Sequence, residues 1–238
     1  MKTSFRAFCL TAALLSVSAL AFAAIDGLSV KRQAKEGQIV KLRLKANLEI
    51  AGTQAVYTGL VQDKITKVDA DGAYTEDELQ IEGQAKIGDQ TVTVPDPPSH
   101  PITYNSDGSL REIKGPPETS GKEAYRMTNL EVLIDAGKPL NVGDSWSVDI
   151  KADDKTGAVA AKADYKIVAE EKIGDIDCVK VKATVKETGG VDPASSDLTY
   201  WISKADGSQV KVEGKLMNAP FPGAPAPINA TMTETREN

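Results

Sequence analysis

The chain has 238 residues, with 28 Lys and Arg against 34 Asp and Glu, a formal net charge of −6, 41% hydrophobic residues and 26% charged ones. Those proportions exclude a disordered chain and a multi-span membrane protein, and the acidic balance offers no net attraction to the phosphates of a nucleic acid. Two cysteines, Cys9 and Cys178, are too few for a disulfide-stapled miniprotein.

Met1 to Ala23 reads as a secretory signal. Lys2 and Arg6 precede an apolar run from Ala7 to Leu20, and Ala21-Phe22-Ala23 forms an A-x-A cleavage site. The apolar run is short of the roughly 20 residues a bilayer span needs. No small-residue lipobox precedes a cysteine, and no later segment is apolar enough to cross a membrane. The expected location is the periplasm or the outside of the cell. Cleavage removes two cations and no anion, and it removes Cys9. Cys178 then has no partner for an internal bridge and reads as a small packing residue in Cys178-Val179-Lys180-Val181.

Beyond the signal the sequence is a succession of strands. Val40, Leu42, Leu44, Ala46, Leu48 and Ile50 alternate with Lys41, Arg43, Lys45, Asn47 and Glu49. This is period two, so one face is dry and the other wet, as is common in antiparallel sheets. A proline-rich stretch from Val94 to Pro101 contains the only histidine, His100. Gly121 to Leu133 is the best helix candidate, following Pro116-Pro117 and a possible Thr119-Ser120 cap, although Met127 to Ile134 also reads as a strand. Alternation returns at Trp146 to Ile150, Val179 to Lys186 and Ile228 to Thr233. Asp71-Gly72, Gly88-Asp89, Asp107-Gly108, Gly174-Asp175 and Asp206-Gly207 mark the turns. The count is about eleven to thirteen strands. The expected fold is all-β, or a β-dominated α+β: a curved antiparallel sheet or half-barrel with at most one or two short helices.

Two parts of the chain follow one script. Gly37 to Leu42 resembles Gly143 to Val148, Tyr57 to Ile65 resembles Tyr165 to Ile173, and Thr103-Tyr104 with Asp107-Gly108 resembles Thr199-Tyr200 with Asp206-Gly207. This suggests a duplication, with residues 24–115 as a first β half and 116–238 as a second. The Gly115 to Lys122 junction does not look like a flexible linker, so the two halves are expected to form one continuous domain.

No residues assemble into a catalytic, metal or cofactor motif. His100 lacks a G-x-S-x-G partner and reads as part of a solvated loop. Asp69-Ala70-Asp71-Gly72 imitates a calcium loop but puts Lys67 at the first ligand position, so it reads as a hairpin turn. Asp63, Glu76, Asp77, Glu78 and Glu82 could perform acid/base chemistry on a glycan. Because Glu76, Glu78 and Glu82 share the parity opposite Leu79 and Ile81, a solvated sheet face accounts for them. The aromatic residues are few. Tyr104, Trp146, Tyr165, Tyr200 and Phe221 are the candidates to line a ligand cavity, with Phe221 in a proline-rich loop able to close over a concave sheet. Trp201 has the parity opposite Tyr200 and needs a cover of its own.

Lys138 to Trp146 carries a P-x-x-V-G-D-x-W pattern that resembles a segment of certain bacterial exported proteins. In those proteins it is followed by stretches like Tyr165 to Val168, Cys178 to Val181 and Tyr200 to Ser203. These families are grouped as domains of unknown function, and their fold resembles the lipoprotein carriers LolA and LolB, a curved antiparallel half-barrel. The likeness covers mainly Pro139 to Gly214. It implies a LolA-like half-barrel but transfers no functional residue, and the carriers cover the barrel mouth with more helices than this sequence offers. The expected function is a non-catalytic exported module holding a hydrophobic small molecule or lipidated peptide. The alternative is an envelope structural or protein-interaction component with a filled core, and a hydrolase is the third reading. No nucleic-acid partner and no cofactor are expected.

Overall fold

A computed structural model of the chain describes residues 27–50, 52–190, 192–222, 224 and 226–237. The signal-like stretch Met1 to Ala23 lies outside the described residues. From the N-terminal side come β1 (Ile39–Ile50), β2 (Thr53–Val68), β3 (Tyr74–Ile87), β4 (Gln90–Thr93), β5 (His100–Tyr104) and β6 (Leu110–Ile113). Two helices follow, α1 (Pro117–Ser120) and α2 (Lys122–Glu131). The rest is β7 (Ser145–Ile150), β8 (Ala161–Ile173), β9 (Ile176–Glu187), β10 (Ser195–Ser203), β11 (Gln209–Ala219) and β12 (Ile228–Arg236).

All twelve strands belong to one antiparallel sheet, in the order β6-β5-β3-β2-β1-β12-β11-β10-β9-β8-β7, with β4 folded back on β3. The expected fold class is the observed one. The first and last strands of the chain meet in the middle of the sheet: Leu44 lies opposite Glu234, Ala46 opposite Met232 and Leu48 opposite Ala230. The outer strands β6 and β7 do not pair with each other, so the sheet curls without closing into a barrel. Bulges mark the bends, at Thr58/Leu60 and Ile65/Lys67 between β2 and β3 and at Ile167/Ala169 between β8 and β9.

The entries to β1 and β7 are built alike. The Gly37 amide donates to the Ile65 carbonyl and the Ile65 amide to Gln38, just as Gly143 donates to Ile167 and Ile167 to Asp144. Gly37 and Gly143 both have positive φ, which the turn requires. This correspondence aligns Ile65 with Ile167, not with the Ile173 that the sequence repeat suggests.

The second half of the sheet packs its concave face into a dense core. Ala163, Ile167 and Val181 are fully buried, with Val185, Leu198 and Leu216 beside them at 1% exposure. Across this face lies α2, the helix expected from Gly121 to Leu133, and it spans the gap between the two ends of the sheet by touching β6, β9 and β10. The Tyr125 hydroxyl accepts the Ile113 amide of β6 at 2.9 Å. Arg126 makes a bidentate ion pair with the buried Glu187 of β9, at 2.7 and 2.6 Å. A helix end leaves unpaired carbonyls, and four side chains of the second half take up carbonyls at the end of α2 and in the extended chain just after it. Ser196 donates to Leu130 O (2.6 Å), Tyr200 to Glu131 O (2.6 Å), Tyr165 to Val132 O (2.9 Å) and Trp146 to Ile134 O (2.8 Å).

Residues 27–38 form a strap over one end of the curl. Leu28 exchanges backbone hydrogen bonds with Leu140, and Gln33 donates to Asp206. At Gly207, with φ +68°, a Cβ would stand 2.1 Å from the Lys31 carbonyl oxygen, so only glycine lets the strap pass. On the convex face Cys178 packs with Trp201 and Val210 as expected of a packing residue. Trp201 finds its cover in the sheet's own lysines, with the Lys180 and Lys211 ammonium groups 4.6 and 4.4 Å from its ring.

Candidate functional site

The concave face of the first half is not filled. Between it, α2 and the central strands lies a chamber of about 600 Å³, inside the range of roughly 300–1,000 Å³ typical of small-molecule sites. One wall is apolar because the long alternation of β1 turns Val40, Leu42, Leu44, Ala46 and Leu48 inward. Leu216 of β11 and Ala230 and Met232 of β12 continue it. Val30 and Arg32 of the strap close one end, while Phe221 and Pro222 of the proline-rich loop stand on the wall.

Acid groups interrupt the same lining, with Asp63 directly beside Val40 and Glu234 directly beside Leu44 in the strand register. Asp63 of β2, Glu76 and Glu78 of β3, Glu131 at the end of α2 and Glu234 of β12 all face the chamber. This corrects the sequence reading of Glu76 and Glu78 as a solvated face. The inward set on β3 is Tyr74, Glu76, Glu78 and Gln80, while Leu79 and Ile81 lie half-buried on the other side. Only Glu82, past the inward stretch and itself at φ +58°, is exposed, pairing with Arg43 at 2.7 Å. His100 also departs from its expected place in a solvated loop. It opens β5 opposite Glu78, faces the chamber, and its Nδ1 is buried without a hydrogen-bond partner. Asp69 to Gly72 is the hairpin turn between β2 and β3, as read.

The strand register stacks these groups across the sheet. Asp63 pairs directly with Glu78, and Glu78 with His100, while Glu76 sits one inward position further along β3. Like charges directly opposite on neighbouring strands repel. Among the described residues, none of these five carboxylates forms an ion pair, and only Glu234 accepts a close hydrogen bond, from Gln209 at 2.7 Å. Each side chain is half-buried, its accessible part opening into the chamber, and the surrounding protein desolvates it.

Burial and then the Glu78 charge push Glu76 up to about 7, against Arg32 and the Tyr104 hydroxyl. Burial raises Glu234 to about 7 as well, opposed by the Gln209 hydrogen bond. Burial, followed by Glu76 and Glu78, holds Asp63 well above the ordinary carboxylate range, and burial followed by Glu234 and Glu78 does so for Glu131. Glu78 is raised by burial and eased by His100. Arg32 does not neutralise the wall, because its ion pair is with Asp206, at 3.5 Å.

The five aromatic candidates separate. Tyr104, Tyr200 and Phe221 stand on the chamber wall, with Tyr104 stacked on Tyr74 at 5.4 Å between ring centres. Trp146 and Tyr165 do not line the chamber. They stack on each other at 5.0 Å and spend their polar atoms on the chain leaving α2. Tyr200 does both, facing the chamber while its hydroxyl holds Glu131 O. The sequence reading missed Tyr57, Tyr74 and the carboxylates as chamber residues. Tyr74 carries the signal, since a large ring at the same parity as Glu76 and Glu78 marks that parity as the inner one. Tyr57 is seated by two glycines: a Cβ on Gly59 or on Gly83 would come within 2.9 Å of its hydroxyl.

The arrangement defines a class, an open half-barrel of antiparallel strands around a ligand-sized chamber whose apolar lining is interrupted by carboxylates. No family model matches the chain, and no curated protein does. Solved structures similar to it include the hypothetical lipoprotein YmcC from Escherichia coli, 12% identical with a TM-score of 0.36 over 84% of each chain. Another, from Bacteroides fragilis, is described as exported and YmcC-like in fold; it is 10% identical with a TM-score of 0.35, covering 89% of this chain and 100% of that one. A DUF1329 family protein from Desulfovibrio piger is 12% identical, with a TM-score of 0.25 over 84% of each chain. No helix among the described residues is long and apolar enough to cross a membrane.

Proposed function

We propose that this chain is an exported, non-catalytic binding module that holds a lipid-like ligand in the curl of its sheet. Export rests on the signal-like Met1 to Ala23. Ligand binding rests on one observation: apolar inward residues, among them Val40, Leu42, Leu44 and Leu48 of β1, Leu216 of β11 and Met232 of β12, border about 600 Å³ of open space. An apolar wall left without partners loses the contacts that a filled core would supply, and a ligand restores them. The test is to purify the protein without detergent, extract it with organic solvent and analyse the extract by mass spectrometry, then titrate the emptied protein with the uncharged dye N-phenylnaphthylamine. A co-purifying amphiphile, or saturable dye binding weakened by Leu44→Arg, supports the reading. An empty extract together with no dye binding overturns it.

One observation favours an additional role in protein interaction. β4 is exposed along its length and pairs only with β3, and the hairpin they form presents Ile87 and Val92 at 48% and 47% exposure. An edge of this kind accepts a further strand. Replacing Val92 by Lys would then abolish capture of a partner without altering dye binding.

A further inference from the structure

We infer that the chamber's ligand is a cationic amphiphile, with an apolar body against β1 and β12 and an ammonium or guanidinium head among Asp63, Glu78 and Glu131. The inference rests on the binding function proposed above and adds the charge of the ligand to it.

The argument begins with what an uncharged occupant would leave unexplained. A hydrocarbon needs only an apolar lining, yet carboxylates from four separate elements, β2, β3, α2 and β12, are set into it. Asp63 and Glu78 are directly paired across neighbouring strands. No lysine or arginine among the described residues pairs with Asp63, Glu78 or Glu131, and none of these three side chains accepts a close hydrogen bond. Glu131, at the end of α2, is half-buried and lines the same chamber. Opposite Glu78, the His100 Nδ1 is buried, without a partner, in a residue that lines the same space. Unpartnered acceptors around an enclosed space are matched by a donor that arrives with the ligand. An ammonium supplies three such donors and a guanidinium five, together with the missing positive charge.

A bare metal ion fits this wall poorly. Among the described residues, no three His, Cys, Asp or Glu side chains come together closely enough to hold one. The carboxylates are spread along the lining, so a cationic head would bond the cross-strand pair Asp63 and Glu78 while Glu131 faces it across the same chamber. An anionic lipid head would meet repulsion from the same groups, with Arg32 already committed to Asp206.

The experiment uses three probes of equal chain length: dodecylammonium, dodecanol and dodecanoate. Each is titrated calorimetrically at pH 8, below its micelle-forming concentration, into the mature protein after solvent extraction. Dodecylammonium is expected to bind on the order of tenfold more tightly than dodecanol, as a charge-assisted hydrogen bond implies, and dodecanoate more weakly than either. The combined variant Asp63→Asn, Glu78→Gln, Glu131→Gln is expected to lose the ammonium preference while keeping its affinity for dodecanol. Should that variant fold poorly, the wild-type protein still provides a reading: ammonium binding at pH 7 releases protons into the buffer, seen as a binding heat that depends on the buffer's ionisation enthalpy, and dodecanol binding does not. Equal binding of dodecylammonium and dodecanol with no proton release, or tighter binding of dodecanoate, overturns the cationic head while leaving the apolar chamber standing. Failure of all three probes to bind overturns both.

Discussion

The inward faces of β8 to β10 and of β2 to β3 are built on the same alternation, and each is bent by a bulge, but they meet different surroundings. On β8 the inward series Ala161, Ala163, Tyr165 and Ile167 is at most 4% exposed, closed over by the chain that leaves α2. On β3 the inward series Tyr74, Glu76, Glu78 and Gln80 faces a chamber. Alternation makes a sheet with two faces, while the segment crossing one of them decides whether it becomes core or site. Here Val132, Ile134 and Leu140, all buried, fill the second half's hollow, and among the described residues no comparable segment enters the first. The first half can therefore keep side chains that a packed core would exclude.

This division is open to direct tests, beginning with the attachment of α2. Replacing Glu187 by Ala leaves the Arg126 guanidinium without its bidentate partner and the Ala194 amide without its acceptor, which is 2.7 Å away. Stranding one member of a buried ion pair costs about 3–5 kcal/mol, read as a shift in urea unfolding. Ile167→Ala, in the filled half, is expected to cost about 2–5 kcal/mol, because it opens a cavity in close-packed surroundings. Leu44→Ala removes an equally large side chain from the chamber wall, where space already exists. Its cost should stay near about 1 kcal/mol, the transfer contribution without a new cavity, while dye binding weakens. Equal costs at the two positions would mean the first half is packed as tightly as the second.

The chamber carboxyls and the strap's anchor respond to pH with opposite signs. Glu76 and Glu234 are raised to about 7, so between the unfolded value of roughly 4.3 and that point the folded state binds more protons. Stability therefore falls as pH rises through this window and levels off above it. Arg32, His100, Tyr74, Tyr104 and Gln209 face these carboxyls and moderate the effect without reversing it. At the strap, burial would raise Asp206, but the Ser208 hydroxyl and amide and the Arg32 charge hold it down to about 2. Its contribution is lost only as pH falls through that value, well below the window. The ligand-free protein is expected to unfold at a higher urea concentration at pH 5.5 than at pH 8, by roughly 1 kcal/mol or more. Glu76→Gln with Glu234→Gln should flatten the slope. A midpoint that does not change between these pH values would place these carboxylates in contact with bulk water.

The sequence shows the sheet far better than the site. The alternation from Val40 to Ile50 is β1 almost to the residue, and those at Trp146, Val179 and Ile228 fall in β7, β9 and β12. Met127 to Ile134 reads two ways because it is two things, a helix up to Glu131 and extended chain from Val132. The carboxylates were misplaced for a physical reason. Period two separates the faces of a strand without saying which is inner, and the more apolar parity of β3, Leu79 and Ile81, proves to be the outer one. Aromatic rings were a fair guide to burial but not to role. Trp146 is half-buried and Tyr165 buried, and each uses its polar end to bond a carbonyl of the chain after α2, 12 and 33 residues away, which nothing local encodes.

Tyr200 and Tyr104 offer the finest test of the division, because both rings line the chamber and only one holds the fold together. The Tyr200 hydroxyl donates to Glu131 O at 2.6 Å, satisfying a carbonyl that the end of α2 leaves open. Tyr200→Phe should cost about 1 kcal/mol, and by loosening Glu131 it should also weaken binding of a charged ligand. The Tyr104 hydroxyl supports no backbone group and lies beside the Glu76 carboxyl, which it draws downward. Tyr104→Phe should therefore leave stability in acid within about 0.5 kcal/mol of wild type, while shifting the titration of Glu76 further upward. NMR of the side-chain carboxyl carbons would follow that shift directly. An unchanged Glu76 titration would separate the two groups, and a stability loss equal to that of Tyr200→Phe would make Tyr104 a structural anchor like its counterpart.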